Sequence, residues 1–324
     1  MSMLNNQQKK QSSDILGTNG QKELGVPAME QVYGKSVARA AARKRNLAVT
    51  SEGRSPGWGS YAILVIVILV FLLPLYYALS IASQDSTSTQ YGVEALIPGG
   101  SLFRNIGRAF GAISFWQALG GTLFVATFTS CTTVLFSTLA GYSFAKLRFR
   151  GRGFLFVFVI GTMTIPQQLS VVPLYIMANK AGLFGSLWAV IIPSLVTAFG
   201  VFWMTQYLQD ALPYELIEAA RVDGASMLRT FWSVAMPAAR PAAAMLFLFT
   251  FIAQWTNYFW PMLILGPNKN SMLIVAAANL KGAYFTDYTI IMGGVVLTTF
   301  PLILLFVFAG RQLVAGIMAG AVKG

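Results

Sequence analysis

The sequence predicts an all-α integral membrane protein with six transmembrane helices and both termini in the cytoplasm. Three observations lead there. Of 324 residues, 56% are hydrophobic and only 10% charged, with a mean hydropathy of +0.62. A soluble protein carries roughly a quarter charged residues, because water must wet its surface, so most of this surface faces lipid. Second, six stretches match the span of about 20 mostly apolar residues that a hydrocarbon core requires. Third, alternate segments between these stretches, counted from the N-terminus, hold 18 of the 23 Lys and Arg. The positive-inside rule places that side in the cytoplasm.

The first 58 residues are polar and rich in Gln, Ser, Asn and Gly, with Arg39, Arg43, Lys44 and Arg45 in an Ala-rich stretch. Such a composition predicts a disordered basic cytoplasmic tail whose charged end meets anionic lipid headgroups. No apolar core of a secretory signal appears before Tyr61. The remainder, 59–324, holds the predicted spans at 61–81, 118–145, 154–178, 187–208, 242–265 and 288–309. Lys146, Arg148, Arg150 and Arg152 mark the cytoplasmic end of the second and third. The apolar run 272–278 is too short to span and is expected as a short helix at or outside the interface. Membrane lipid, not nucleic acid, is the expected partner of the formal charge of +12: only Tyr33 interleaves an aromatic ring with the basic cluster.

Composition removes several chemistries. The chain has no histidine and one cysteine, Cys131, which excludes imidazole acid–base catalysis, a His/Cys zinc site and an internal disulfide. No catalytic residue, metal site or bound cofactor is expected, and the chain is not read as an enzyme. Gly34-Lys35-Ser36 resembles the end of a phosphate-binding loop. That loop also needs a glycine five positions before Gly34, where Met29 stands, and no apolar strand precedes it. All 11 Asp and Glu fall outside the six spans, with Asp287 at the edge of the last. Ion-coupled carriers place ionisable groups at mid-membrane, so the energy for any transport is expected from elsewhere.

The polar atoms inside the spans are neutral. The second span carries a run of Thr and Ser from Thr122 to Thr138, residues that mostly let helices approach and hydrogen-bond. Gln167 and Gln168 beside Pro166, and Gln254 and Asn257 on either side of Trp255 in the fifth span, are costlier in lipid and should face protein or a wet cavity. Amides and aromatics suit a hydroxyl-rich, uncharged solute such as a sugar, and these five residues are the candidate translocation path.

Between spans four and five, at 209–240, Pro213 suits the first turn of a helix, and Glu215 and Glu218 favour its positive N-terminal end. Gly224 can adopt the left-handed conformation that stops it. A second helix with an apolar face of Met227, Leu228, Phe231, Trp232, Val234 and Ala235 is expected to end at Pro237. Ala219 and Ala220 are small enough for close docking. The product is a short cytoplasmic helix-turn-helix.

At this point the sequence resembles a family. Glu218-Ala219-Ala220, then Asp223-Gly224, and later Met236-Pro237 resemble the EAA loop of ABC importer permeases, with Met236 where the family usually has Leu. Ala140-Gly-Tyr-Ser-Phe-Ala-Lys-Leu-Arg-Phe-Arg-Gly-Arg152, Ile165-Pro-Gln167, Pro173-Leu-Tyr175, Gly182-Leu183, Trp255-Thr-Asn257 and Gly320-Ala-Val-Lys-Gly324 are similar to the maltose-type carbohydrate permeases, the MalG-like half. The resemblance covers about residues 60–324.

The resemblance implies a type I ABC importer permease in a bacterial inner membrane. It also implies a second, MalF-like permease subunit, two ABC ATPase subunits that hold ATP and Mg, and an extracellular sugar-binding protein. Glu218, Ala219, Ala220, Asp223, Gly224 and Pro237 would form the ATPase-coupling loop, and Gly320, Lys323 and Gly324 an ATPase-facing tail. The competing readings are an ion-coupled secondary carrier, which would need an intramembrane ion site, and a membrane-anchored enzyme, which would need clustered catalytic residues.

Overall fold

The computed structural model describes residues 57–85, 93–266, 271–281 and 286–321, and no strand occurs among them. The chain divides into two compact units, residues 1–71 and 72–324. The basic tail expected over 1–58 lies outside the described residues as far as residue 56. What is described of the first unit is the apolar opening of α1, Trp58–Ser83, whose large side chains from Ile63 to Phe71 are all exposed. Among the described residues nothing polar covers them, as suits a surface solvated by lipid.

The second unit takes up α1 from Leu72 and continues with α2 (Leu102–Ala112), α3 (Phe115–Lys146), α4 (Arg152–Met163) and α5 (Val171–Lys180). Then follow α6 (Leu187–Ile191), α7 (Ala198–Ala211), α8 (Tyr214–Val222) and α9 (Met227–Thr256). The last are α10 (Phe259–Leu265), α11 (Leu273–Ala278) and α12 (Tyr288–Ala321). Helices α1, α3, α9 and the stretch Tyr288–Val307 of α12 are each long and apolar enough to cross a membrane. Two bent pairs bring the number to six if each pair is one span.

Both bends fall where a proline removes a backbone donor. Helix α4 tightens at its end, where the amides of Thr164 and Ile165 donate to carbonyls three residues back, Gly161 and Thr162. Pro166 then cannot continue it, and the chain turns by 93° into Gln167–Lys180. In the fourth span, Pro193 sits in a 3₁₀ turn, Ile192–Ser194, and α7 restarts after a 40° bend. The restart is capped by Thr197, whose Oγ1 accepts from the Gly200 amide at 3.0 Å.

The fifth span differs from the expectation of 242–265. Helix α9 begins fifteen residues earlier, at Met227, and stops at Thr256. Pro261 has no N–H for the Asn257 carbonyl, so α10 is a separate helix. Nor does Pro237 end the second loop helix. A π turn over Phe231–Ala235, closed by the Met236 amide on the Phe231 carbonyl, carries the helix into the proline, which then occupies a first-turn position where no donor is needed. The expected short helix at 272–278 forms as α11, but it is packed inside protein: Met272, Val275 and Ala276 are fully buried, and the Leu273 amide donates to Thr122 Oγ1 at 2.8 Å.

The core is built on α3, which packs against both α7 and α9. One face of α3 is a buried hydroxyl stripe of Thr122, Thr129, Ser130, Thr133, Ser137 and Thr138. Thr133 donates across to the Ser194 carbonyl at the bend of the fourth span, at 2.9 Å. Where α3 crosses α7, a Cβ on Gly141 would stand 2.7 Å from Met204 Cβ and 2.9 Å from the Thr205 amide nitrogen. Only glycine lets these backbones meet.

Helix α2 packs on α12 through a polar cluster. Fully buried Asn105 donates to the Ala82 and Gln84 carbonyls at 2.9 and 2.7 Å. Arg108 bridges to Asp287 at 2.9 Å, and Asp287 caps α12 through Thr289.

Candidate functional site

Two groups of sequence-predicted residues come together in the structure. The first is the loop between α7 and α9. Helix α8 is anchored at its start. The Tyr214 hydroxyl donates to the Ala145 carbonyl at 3.4 Å, and Lys146 Nζ lies 4.6 Å above the Tyr214 ring while donating to the Gln209 carbonyl at 2.9 Å. Arg152 covers the same helix end by donating to the Ala145 carbonyl. The sequence marked Lys146 and Arg152 as charges on one side of the membrane; here Lys146 ties the loop to α3, and Arg152 ties the start of α4 to the same helix end. Ile217, 3% exposed, sinks one face of α8 into the cluster of Tyr142, Leu208 and Phe231.

The opposite face of α8 carries Glu218 and Ala219, both exposed. Among the described residues Glu218 makes no salt bridge; the two pairs are Arg104–Asp85 and Arg108–Asp287. The helix ends as the glycine signal predicts. Gly224 has φ +76, its amide donates to the Arg221 carbonyl, and the Ala225 amide reaches back to the Ala220 carbonyl at 2.9 Å. That pair of bonds is a Schellman stop. Ser226, whose capping role the sequence reading missed, then accepts from the Arg229 amide and starts α9. Its signal was a serine directly before an apolar run.

The expected apolar face of the second loop helix is really two faces. Phe231 and Ala235 are buried, whereas Met227, Leu228 and Trp232 are 61%, 65% and 56% exposed. With Val222, 87% exposed, they surround the capped turn with apolar surface. Asp223 and Pro237 are exposed at either end of it.

The second group lines a cavity of about 900 Å³. Gln167 and Gln168 reach it from the turn after the 93° bend, and Gln254 and Asn257 from the end of α9. Ser194 and Thr197 join from the break in the fourth span. Each polar piece thus comes from a helix interruption, where freed backbone must border protein or a wet space. Among the described residues no Asp, Glu, Lys or Arg lines the cavity. Trp255 does not join the other four. It is 5% exposed, stacked on Phe251 with ring centroids 5.7 Å apart, and its indole N–H points to the Thr298 carbonyl at 3.4 Å. Adjacent positions on a helix face different ways, so a packed core claims Trp255 while Gln254 borders the cavity. Of the expected C-terminal tail, Lys323 and Gly324 lie outside the described residues and Gly320 belongs to the last turns of α12. Among the described residues no group of His, Cys, Asp and Glu could hold a metal.

Comparison with known proteins now decides the family. The model of the "Binding-protein-dependent transport system inner membrane component" family matches residues 133–315, more than half of the chain. The chain belongs to this family.

Membership makes it a multi-pass permease component, and the resemblance to carbohydrate ABC importer permeases is borne out by its relatives. It is 32% identical over 210 residues to the arabinooligosaccharide transport permease AraQ of Halalkalibacterium halodurans, covering 65% of this chain and 75% of that one. It is 29% identical to the lactose transport permease LacG of Rhizobium radiobacter, covering 85% of this chain and 99% of that one. The sn-glycerol-3-phosphate permease UgpE of Yersinia pestis is 28% identical, over 80% and 94%. In fold, the permease resembles a chain of a bacterial ABC transporter involved in the import of the acidic polysaccharide alginate. The TM-score is 0.67 at 24% identity, over 79% of this chain and 95% of that chain.

Proposed function

We propose that this chain is the permease subunit of an ATP-driven ABC importer that moves a sugar or oligosaccharide into the cell. The observation that carries the reading is continuity. The exposed, capped loop around Glu218 and Gly224 passes directly into α9, and the same helix ends at Gln254 beside the cavity. One element therefore links a surface shaped for a partner to a polar space between broken helices. Glu218, Ala219, Ala220, Asp223, Gly224 and Pro237 form the coupling loop. It docks on one of two separate ATPase subunits, which bind ATP and Mg; this chain performs no covalent chemistry. ATP binding on those subunits biases a two-state equilibrium of the permease helices. A second, MalF-like permease completes the path, and an extracellular binding protein delivers the sugar.

Six spans with both termini in the cytoplasm follow if each bent pair crosses once. Lys146, Arg148, Arg150 and Arg152 support this orientation for the end of α3 that holds the loop. The sugar is supported by the names of the relatives and by the uncharged lining. No observation favours an ion-coupled carrier.

Copurification from native membrane tests the reading. Tagged chain should bring down two ATPase copies and a second permease, and sugars should stimulate ATP turnover. In intact cells of a Cys131→Ser background, a thiol reagent from outside should label Ile97→Cys but not Ser226→Cys. Uptake that ignores ATP but follows an ion gradient, or outside labelling at 226, refutes it.

A further inference from the structure

We propose that Lys146 is a positioning residue, a joint that fixes the start of α8 to the ends of α3 and α7, so that a push on the coupling loop moves all three as one body. This rests on the importer reading and adds to it a residue outside the loop.

Lys146 is 7% exposed, whereas Arg148 and Arg150 on the turn that follows are exposed. Marking one side of the membrane takes charge, not burial, so the burial of this ammonium needs another reason. Among the described residues no carboxylate pairs with it, since the ion pairs are Arg104–Asp85 and Arg108–Asp287. A buried charge is costly unless something compensates it. Three neutral groups do so here, one from each helix. Lys146 is the last residue of α3, where the helix end carries partial negative charge. Its Nζ donates to the Gln209 carbonyl at 2.9 Å, in the last turn of α7. The same Nζ lies 4.6 Å from the centre of the ring of Tyr214, the first residue of α8.

The charge is satisfied only while these three helix ends stay together. The other contacts at the joint are less exacting. The Tyr214 hydroxyl and Arg152 reach the Ala145 carbonyl at 3.4 Å, both long for hydrogen bonds. Ile217 is held by apolar packing, which is non-directional and tolerates a slip. A slip of α8 that takes the ring from the ammonium leaves the buried charge under-partnered. Helix α8 is therefore constrained to carry α3 and the end of α7 with it. From α3 the connection to the cavity is one bond: Thr133 donates to the carbonyl of Ser194, which lines the cavity. This is a second route from loop to cavity, separate from α9.

The test uses the permease–ATPase complex in nanodiscs, in a Cys131→Ser background with Ile165→Cys in the cavity wall as the reporter. Two quantities are measured: ATP turnover, and the change in thiol-labelling rate at 165 when ATP–Mg is added. The reference complex should hydrolyse ATP and change its labelling rate. Lys146→Met should still hydrolyse ATP, but the labelling change per turnover should fall about tenfold, the factor carried by one hydrogen bond to a charged group. Lys146→Arg should restore most of it. Tyr214→Leu, at an exposed position, should fall as Lys146→Met does. The double variant should be no worse than the worse single, because both changes break one joint. Arg148→Met removes the same charge from the exposed turn and should match the reference. A Lys146→Met ratio equal to the reference, additive losses in the double variant, or an equal fall in Arg148→Met overturns the joint while the importer reading stands. If Lys146→Met does not assemble, Tyr214→Leu decides: a fall rescued by Tyr214→Phe supports the joint, and a reference ratio overturns it. A reference complex that binds no ATPase, or turns over ATP with no change at 165, takes the importer reading down and the joint with it.

Discussion

Replacing Gly224 separates a backbone requirement from a packing one. With φ +76 the residue is in the left-handed region, and a Cβ built there finds no atom within 4 Å. Within this chain, then, a side chain at 224 costs nothing in clashes and only what the conformation costs. That is about 1–2 kcal/mol for an L-residue, or roughly a 5- to 30-fold loss of the turned population. Valine adds the stiffness of a branched Cβ and should lie at the upper end. Asparagine tolerates the left-handed region and should stay near wild type. The order of activity should therefore be Gly224, then Asn, then Ala, then Val, with Val down at least about tenfold. The assay is ATPase copurification and ATP-driven uptake at matched membrane levels of the four forms. All four should reach the membrane, since no span is altered. If Asn fails as badly as Val, side-chain volume against a partner is the cause and the argument from the turn is wrong. If Val matches wild type, the turn does not aim the loop.

Glu218→Ala should weaken ATPase copurification well beyond Glu215→Ala, although both remove one charge from α8. A helix-end interaction is worth only about 0.3–1 kcal/mol, whereas losing one partner of a desolvated interface pair costs about 2–5 kcal/mol; equal losses would count against coupling through Glu218. Gly141→Val should cut the yield of folded protein sharply, because the new side chain meets α7 backbone rather than a movable side chain; size-exclusion of detergent extracts reads it, and a monodisperse wild-type yield refutes the close crossing. Burial pushes the Asp287 carboxyl up, but hydrogen bonds from Thr289 and Arg108 more than offset this and hold its pKa below the ordinary carboxylate range. A depressed pKa stabilises the fold above that range, and the contribution is lost as pH falls through the lowered value. Thermal melting of purified protein should show this acid-side loss in wild type and less of it in Asp287→Asn, and parallel pH curves would refute the role.

What the sequence made legible was mostly local. Pro213 and Gly224 act on their own neighbours, so a residue-by-residue reading recovers the first loop helix and its stop. The prolines were visible but not their consequences. Pro166 gives a 93° turn because the helix before it has already tightened, Pro193 a 40° bend, and Pro237 no break at all because a π turn precedes it. Those differences depend on the hydrogen bonds left free nearby, which no single residue announces. Gln167, Gln168, Gln254 and Asn257 could be marked as costly in lipid, yet their meeting in one cavity depends on where α4, α7 and α9 cross. Trp255, the aromatic candidate for the same path, went to the core, since a one-residue step along a helix is a change of side.

The unbroken run of α9 has a mechanical consequence. Thirty residues at 1.5 Å each make a rod about 45 Å long. Each degree of tilt about its loop end sweeps the Gln254 end through about 0.8 Å. Gln167 and Gln168 stand on a different rod, beyond a sharp corner. A few degrees at the loop therefore shear one wall of the cavity past the other by the length of a hydrogen bond. A tilt that leaves the buried Phe231 contact near the pivot almost in place is magnified at the far end, at the wall that carries Gln254.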